Sequence, residues 1–503
     1  MSKRILQHPQ ESQTGPKYWR SLGQVADTPE FRTWAEREFP QGASELKGEA
    51  TRRDFMKYMA ASAALAGFSF SACRREVKEL VPFSRGVEWS VPGKPVFYAT
   101  SRPHRRGAQP LVVATNDGRP TKVEGNPLHP ASRGATDIHS QASLLDLYDP
   151  DRSRHFRKSG SEVQEKDFIA ALEALLKEAG DGAGIAFLTE HFTSPTFRRL
   201  QDEVAKKMPK AVWAEYEPLG TDEARKAQEA AFGQGMRAVP QLDKADAVLA
   251  LDCDFLGFDE GTLEGIRAFA KRRSPEQKMN RLYVVENRYT TTGGMADHRL
   301  RVKAGSIGAV ARQFAEIIAG KTGDETLKSV VAKFPQGPAF SGEQGKWITE
   351  AAEDLIAKKG AVLVVVGYRQ PAAVQALAHA INAALGGLGA TVAGRKSSGR
   401  PRASLAEIST AITAGNVKTL FILGGNPAFN APADLNFPKV LAGVKTVIRH
   451  GLYEDETSHT IGEGGKAQWV QWHVPAAHYL EAWGDGRATD GSLLSQQPMI
   501  LPL

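Results

Sequence analysis

Short apolar runs, spaced along most of the chain and each closed by a polar or glycine-containing turn, limit what this sequence can fold into more than any other feature. They are Gly184–Leu188, Ala247–Leu251, Leu282–Val285, Ala361–Val366, Thr419–Leu423 and, shorter, Thr446–Ile448. Runs of this length and composition fit strands of a parallel sheet whose two faces are both covered. Helical stretches lie between them. Phe168–Leu176 has helical periodicity, Ser194-Pro195 reads as a helix opening, and Ala373–Leu385 is an alanine-rich helix. Two such sets predict an α/β chain with two doubly wound, mostly parallel-sheet units. A small β-rich region comes first. Val96–Ala99 and Leu111–Ala114 are strand-like, and Asn116-Asp117-Gly118 turns the chain back through Lys122-Val123-Glu124 as a hairpin. The expected divisions are 1–73 for an extended N-region with an export signal, 74–160 for the small β-rich region, 161–345 for the first α/β domain and 346–503 for the second.

At 503 residues there is enough chain for two or three domain cores. The net charge of +7 is spread out, with no basic stripe interleaved with aromatics, so nucleic acid is not an expected partner. The only cysteines are Cys73 and Cys253. With no CxxC-type cluster the chain cannot by itself supply the thiolates of an iron–sulfur centre. No HExxH or comparable histidine–carboxylate spacing marks a metal site.

Thr51-Arg52-Arg53-Asp54-Phe55-Met56-Lys57 precedes an uncharged run from Tyr58 to Ala72. Arg52, Arg53, Phe55 and Lys57 read as a twin-arginine export signal, because the run is too short and too weakly apolar for a spanning helix of roughly 20 residues. The signal implies recognition by the Tat translocase and a periplasmic destination. The fifty residues before the motif, which include Tyr18-Trp19 and Pro29-Glu30-Phe31, read as a recognition or assembly segment. Phe70-Ser71-Ala72 before Cys73 suggests a lipoprotein cleavage site, with a buried or incidental thiol as the competing reading. If acylated at Cys73, the mature chain would be held at the membrane face.

In open α/β sheets ligands sit beyond the carboxyl ends of the strands. The segments there are Thr189-Glu190-His191, Asp252-Cys253-Asp254, Glu286-Asn287-Arg288, Gly367-Tyr368-Arg369 and Gly424-Gly425-Asn426-Pro427. Gly424, Gly425 and Asn426 are the sharpest phosphate-binding candidates, since glycine lets backbone N–H groups approach an anion closely. The same four residues also make a plain turn, and both readings stand. No GxGxxG or Walker loop is present. Asp252 and Asp254 are expected to cap the next helix rather than bind a cation. Cys253 is expected to be a small buried hydrophobe, and His191 and His298 structural.

Several segments together resemble the molybdopterin oxidoreductase superfamily. They are DGRPTKVEGNPLHPASRGATDIHSQASLLDLYDPDRSR (Asp117–Arg154), VVENRYTTTGGMADHRLRVKAGS (Val284–Ser306), GGNPAFNAP (Gly424–Pro432) and the late stretch Val474–Pro498. The resemblance implies that family's cofactor-binding α/β fold over roughly 95–503. The chain departs from the family at its chemistry. Where the family carries cluster cysteines, this chain reads FYATSRPHRRGAQP, and Arg133-Gly134-Ala135 is followed by Thr136-Asp137-Ile138. The usual molybdenum ligand has no clear equivalent; the nearest segment is Tyr216-Glu217-Pro218. The family's last cofactor-binding domain has no counterpart before Leu503, so the second α/β domain is incomplete relative to the family.

The N-terminal signature YWRSL…TPEF…EFP…TRRDFMK (Tyr18–Lys57), the EHFTSP turn (Glu190–Pro195) and the YEP segment are similar to the large molybdopterin-like, iron–sulfur subunit of alternative complex III, a bacterial membrane quinol oxidoreductase. The match is to the first, molybdopterin-like half of that subunit. The resemblance implies a cofactor-less structural and docking role in a respiratory chain, with no catalytic residue in this chain. It also implies multihaem cytochrome c subunits, membrane quinol-binding subunits and an iron–sulfur protein as partners. The [4Fe-4S] and [3Fe-4S] clusters would sit on a separate or missing ferredoxin-like part. The alternative is a catalytic subunit holding molybdopterin guanine dinucleotide, with Gly424, Gly425 and Asn426 on its phosphates and Glu217 as the candidate ligand of its molybdenum. A lipid-anchored assembly factor is the third reading.

Overall fold

The computed structural model describes residues 26, 28–36, 91–105, 107–220, 222–257, 261–396, 402–461 and 467–502. The chain divides into two compact units, Met1–Arg85 and Gly86–Leu503. In the first, the helix Pro29–Glu36 is preceded by Thr28, whose hydroxyl accepts from the Phe31 N–H at 3.3 Å. Arg52, Arg53, Phe55, Lys57 and Cys73 lie outside the described residues.

The second unit opens with an antiparallel sheet of β1 (Val96–Arg102), β2 (Gln109–Asn116) and β3 (Arg119–Gly125). Asp117 and Gly118 close the β2–β3 hairpin with φ of 49° and 78°. A two-residue loop with both φ values positive matches the twist of its strands, and Asp-Gly tolerates it. Further along come β4 (Phe156–Lys158), β5 (Ser161–Val163), β6 (Ile185–Thr189), β7 (Val212–Glu215), β8 (Met236–Pro240), β9 (Ala247–Leu251), β10 (Arg281–Glu286) and β11 (His298–Arg301). They are followed by β12 (Val362–Val366), β13 (Val392–Lys396), β14 (Thr419–Leu423), β15 (Thr446–Gly451), β16 (His459–Ile461), β17 (Ala467–Trp469), β18 (Trp472–Pro475), β19 (Gly484–Arg487) and β20 (Leu493–Gln496).

Two parallel sheets organise this unit. The larger has the order β5-β4-β18-β15-β14-β6-β7, parallel from β18 to β7 with β4 and β5 antiparallel at one edge. The smaller, β11-β10-β9-β12, is parallel throughout. Both faces of the smaller sheet are buried, which explains the uninterrupted apolar runs. Leu249, Val285 and Val364 face one core, packed under the helices Ile307–Thr322 and Ala372–Ala384. Val248, Val284 and Leu363 face another, with Phe255 and Phe269.

The α/β architecture read from the sequence is the architecture observed. Strand pairing, however, crosses position 345. β14 pairs with β6 and β12 with β9, so each parallel sheet draws on both 161–345 and 346–503. Everything from β8 to β13 lies between β7 and β14 in sequence, so the smaller sheet belongs to a segment inserted into the larger. Hydrophobic pattern marks strands but carries no information on which strands pair. No helix among the described residues is long and apolar enough to cross a membrane.

Candidate functional site

In the larger sheet, β6 leads outward to β7 on one side and β14 leads to β15 on the other. The strand order therefore reverses between β6 and β14. A crevice opens beyond the carboxyl ends of such neighbours, and ligands of α/β proteins collect there. Thr189-Glu190-His191 leaves β6 at this point and Gly424-Gly425-Asn426 leaves β14. The structure thus brings two of the strand-end candidates together.

Gly424 and Gly425 have φ of 81° and 65°, a left-handed pair that side chains disfavour. The Glu190 side chain lies along them. A Cβ added to Gly424 would stand 2.4 Å from Glu190 Oε2, and one on Gly425 3.2 Å from Glu190 Cγ. The Gly425 N–H faces the Glu190 carboxylate and favours its charged form. Burial pushes the Glu190 carboxyl above its ordinary range, against the opposing pull of that N–H and of Arg449. Arg449, buried in β15, fixes the turn from below. It donates to the Gly424 and His450 carbonyls at 2.8 and 3.0 Å, to the Gly425 carbonyl, and to Asp455 at 2.9 Å. Asn426 is also engaged, donating to Glu456 at 2.7 Å and accepting from the Thr457 hydroxyl at 2.7 Å.

These contacts test the implied phosphate site. An anion on the Gly424–Gly425 turn would have to occupy the space of the Glu190 carboxylate and face its charge. The crevice as it stands does not fit a phosphate group.

Glu217 reaches the same crevice from the end of β7. Its Oε1 accepts the His191 N–H at 3.1 Å, and burial raises its carboxyl, with Glu190 adding to the rise. His191, for which the sequence offered no partner, meets Glu215 at 2.8 Å through Nδ1, and Arg402 pairs with the other oxygen of Glu215. Burial lowers the His191 pKa, as it lowers that of Arg402, to about 10. Glu217 is thus a backbone-bonded carboxylate. Among the described residues no group of three or more histidine, cysteine or acidic side chains is placed to hold a metal ion.

The carboxyl ends of the smaller sheet are tied up internally. Asp252, at φ 51°, accepts from Gln370 at 2.9 Å. Asp254 accepts from the Thr292 N–H and hydroxyl at 2.9 and 2.7 Å. It therefore secures the short helix Thr291–Gly294 and not the next helix, Leu263–Ala270, which Thr262 caps. The expected capping acts across the sheet instead of along the chain, because the β10 end lies beside the β9 end. Cys253 is buried in the core that holds Phe255 and Phe269. Glu286 holds Arg299 at 2.6 Å and the Thr290 hydroxyl at 2.6 Å. His298 stacks on Tyr283, with centroids 5.1 Å apart. A cavity of about 700 Å³ runs from His191 and Glu217 past Arg237 and Glu264 to His379.

Two residues central to the crevice differ in how far the sequence announces them. Glu190 stands out by position alone, and its contact with Gly424 depends on strand order. Arg449 has a visible signal, a charge inside the apolar run that begins at Thr446.

No protein-family model matches the chain. It is 26% identical over 378 residues to the menaquinone reductase, molybdopterin-binding-like subunit, of Nitratidesulfovibrio vulgaris (strain Hildenborough). That alignment covers 68% of this chain and 54% of the relative, so the chain spans about half the length of the curated relative it matches. Acetylene hydratase from Pelobacter acetylenicus superposes with a TM-score of 0.58 at 13% identity, over 76% of this chain and 63% of that one. A formyltransferase/hydrolase complex from Methylorubrum extorquens reaches a TM-score of only 0.44, too low to carry an argument. The chain is therefore similar in sequence to a molybdopterin-binding-like subunit of a quinone reductase, and it shares its fold with acetylene hydratase.

Proposed function

We propose that this chain is a cofactor-less, molybdopterin-oxidoreductase-like subunit of a bacterial membrane quinol oxidoreductase of the alternative complex III type. Its role is structural. It presents a rigid surface on which an iron–sulfur protein and multihaem cytochrome c subunits dock beside membrane quinol-binding subunits. The Tat translocase exports it to the periplasmic face of the inner membrane, with Cys73 as a lipid anchor. The similarity to a menaquinone reductase subunit supports a role related to a quinone oxidoreductase. The observation that carries the cofactor-less reading is the Glu190 carboxylate lying on Gly424 and Gly425, where a nucleotide phosphate would have to sit.

The test is metal, pterin and haem analysis of the natively purified protein, with co-purifying subunits identified by mass. The reading expects iron and haem to arrive with partners and no molybdenum or pterin to follow this chain. Molybdenum and pterin in one-to-one ratio with the chain would sink it and favour the catalytic alternative. Release of the chain from the mature complex would favour an assembly factor.

A further inference from the structure

We infer that the Glu190 carboxylate is a built-in substitute for an anionic ligand: it closes the crevice between β6 and β14, and shortening it opens a site for a phosphate or pyrophosphate group. The inference rests on the reading that this crevice holds no cofactor in the native protein.

The turn after β14 has the features of an anion cradle. Two successive residues have left-handed φ; the Gly424 N–H donates to the His450 carbonyl at 3.1 Å, which leaves the Gly425 N–H as the one that faces the crevice. There it faces the Glu190 carboxylate and favours its charged form. A buried guanidinium, Arg449, supports the turn through both of its carbonyls, and its Nε has no hydrogen-bond partner. Glu190 adds the occupant. Its Oε2 stands 2.4 Å from where a Cβ on Gly424 would be, and its Cγ 3.2 Å from where a Cβ on Gly425 would be. The side chain beyond Cβ fills a space comparable to a phosphate group. Glu217 is the opposing influence, because it already repels Glu190 and would repel an incoming anion.

Cutting Glu190 to alanine removes the anion that the partly buried Gly425 N–H faces. Solution anions would then compete for that N–H, and a charge-assisted hydrogen bond there is worth at least about tenfold in affinity. Glu190→Gln tests charge separately from volume, since it keeps the plug and removes the negative charge.

The experiment measures inorganic pyrophosphate binding and pyrophosphate-dependent melting of the full chain. The forms compared are wild type, Glu190→Gln, Glu190→Ala, Glu190→Ser and the double variant Glu190→Ala with Glu217→Gln. Wild type and Glu190→Gln should show neither binding nor a melting shift. Glu190→Ala should bind at least about tenfold more tightly than wild type and melt higher with pyrophosphate, and the Glu217→Gln change should strengthen this. Glu190→Ser keeps a small acceptor and serves if the alanine form is too unstable to purify. Wild-type binding equal to that of Glu190→Ala overturns the inference, because the crevice would then be open. A folded alanine or serine form that binds no better than wild type overturns it as well. So does failure of both to fold with pyrophosphate present, since an anion from solution then cannot replace the carboxylate. Wild-type binding would weaken the cofactor-less reading as well, whereas a folded alanine form that binds no better than wild type overturns the inference alone, and pterin analysis of the native protein tests the reading by itself.

Discussion

His379 is an imidazole whose two ring nitrogens are both buried and without a hydrogen-bond partner. It lies on the helix Ala372–Ala384, edge-on to Phe232 at 5.2 Å, and burial pushes its pKa down to about 4. Burying polar atoms without partners costs about 1–3 kcal/mol in proteins. Replacing His379 by leucine should therefore stabilise the fold by about 1 kcal/mol at pH 7, seen as a higher melting temperature. The pH dependence follows from the same burial. In the unfolded chain this histidine titrates near 6.5, so between about pH 6.5 and 4 the unfolded state binds a proton that the folded state does not. Stability is complete above 6.5 and falls as pH drops through that window. His473 and His478, also pushed down to about 4, act in the same direction. His379→Leu should flatten the acid limb, whereas His473 differs in kind, since Ser458 and Ser153 flank its ring at 2.9 and 2.7 Å. A lower melting temperature for His379→Leu at pH 7 would contradict this account.

β12 is the edge of the smaller sheet, yet its outer side is not left open. The Asn382 amide bonds the Val364 N–H and C=O, both at 2.8 Å, like a residue of a missing strand. The Thr391 hydroxyl donates to Val362 O, and Gln375 donates to Gly367 O at 2.6 Å. An unprotected edge is a template for unwanted pairing, and here side chains of the following helix and loop cover it. Asn382→Leu keeps the volume and strands two buried backbone groups, so it should cost about 2–5 kcal/mol by chemical denaturation. A loss under about 0.5 kcal/mol, the range of ordinary surface changes, would mean that water satisfies the edge. None of this was legible in the alanine-rich pattern of Ala373–Leu385, because an asparagine on a helix declares no partner. What was legible is what repeats. The runs Ala247–Leu251 and Thr419–Leu423 are the observed strands residue for residue, and Asp117-Gly118 is the observed turn. Lateral order was not, and the row Trp213–Phe187–Phe421–Ile448–Trp472, in register across five strands, could not be assembled from local pattern. Its stacked rings, 4.1 and 4.9 Å apart, come from distant parts of the chain. The crevice follows the same division. Gly424-Gly425 announces itself at a strand end, while Glu190 becomes a partner only once β6 is known to lie beside β14.

The inserted segment gives the molecule a boundary that differs from a cut at 345. Both cores of the smaller sheet are built from residues between Phe232 and Val392. The chain leaves the larger sheet at β7 and returns beside it: the Ala403 N–H donates to Trp213 O at 3.0 Å, and the Glu215 N–H donates to Ala403 O at 3.1 Å. Arg402 pairs with Glu215 at the same place, so the two ends of the insertion are already held together. Hydrogen bonds from the insertion to the rest include those of Arg267 to Ser132 O, Arg237 to Thr489 O and Arg395 to Asp490 O. These are contacts of single arginines, with no strand shared. A compact unit with its own core folds alone, whereas half a sheet exposes unpaired strands. Residues 222–396 expressed alone should therefore unfold in one cooperative transition. Residues 346–503 should not, because β14, β15 and β18 would lack β6 and β4, and with them Phe187 from the aromatic row. Circular dichroism with denaturant titration separates these outcomes. A fragment 222–396 that melts without cooperativity would show that its stability comes from the larger sheet, and a cooperative 346–503 would show that strand pairing across position 345 is dispensable.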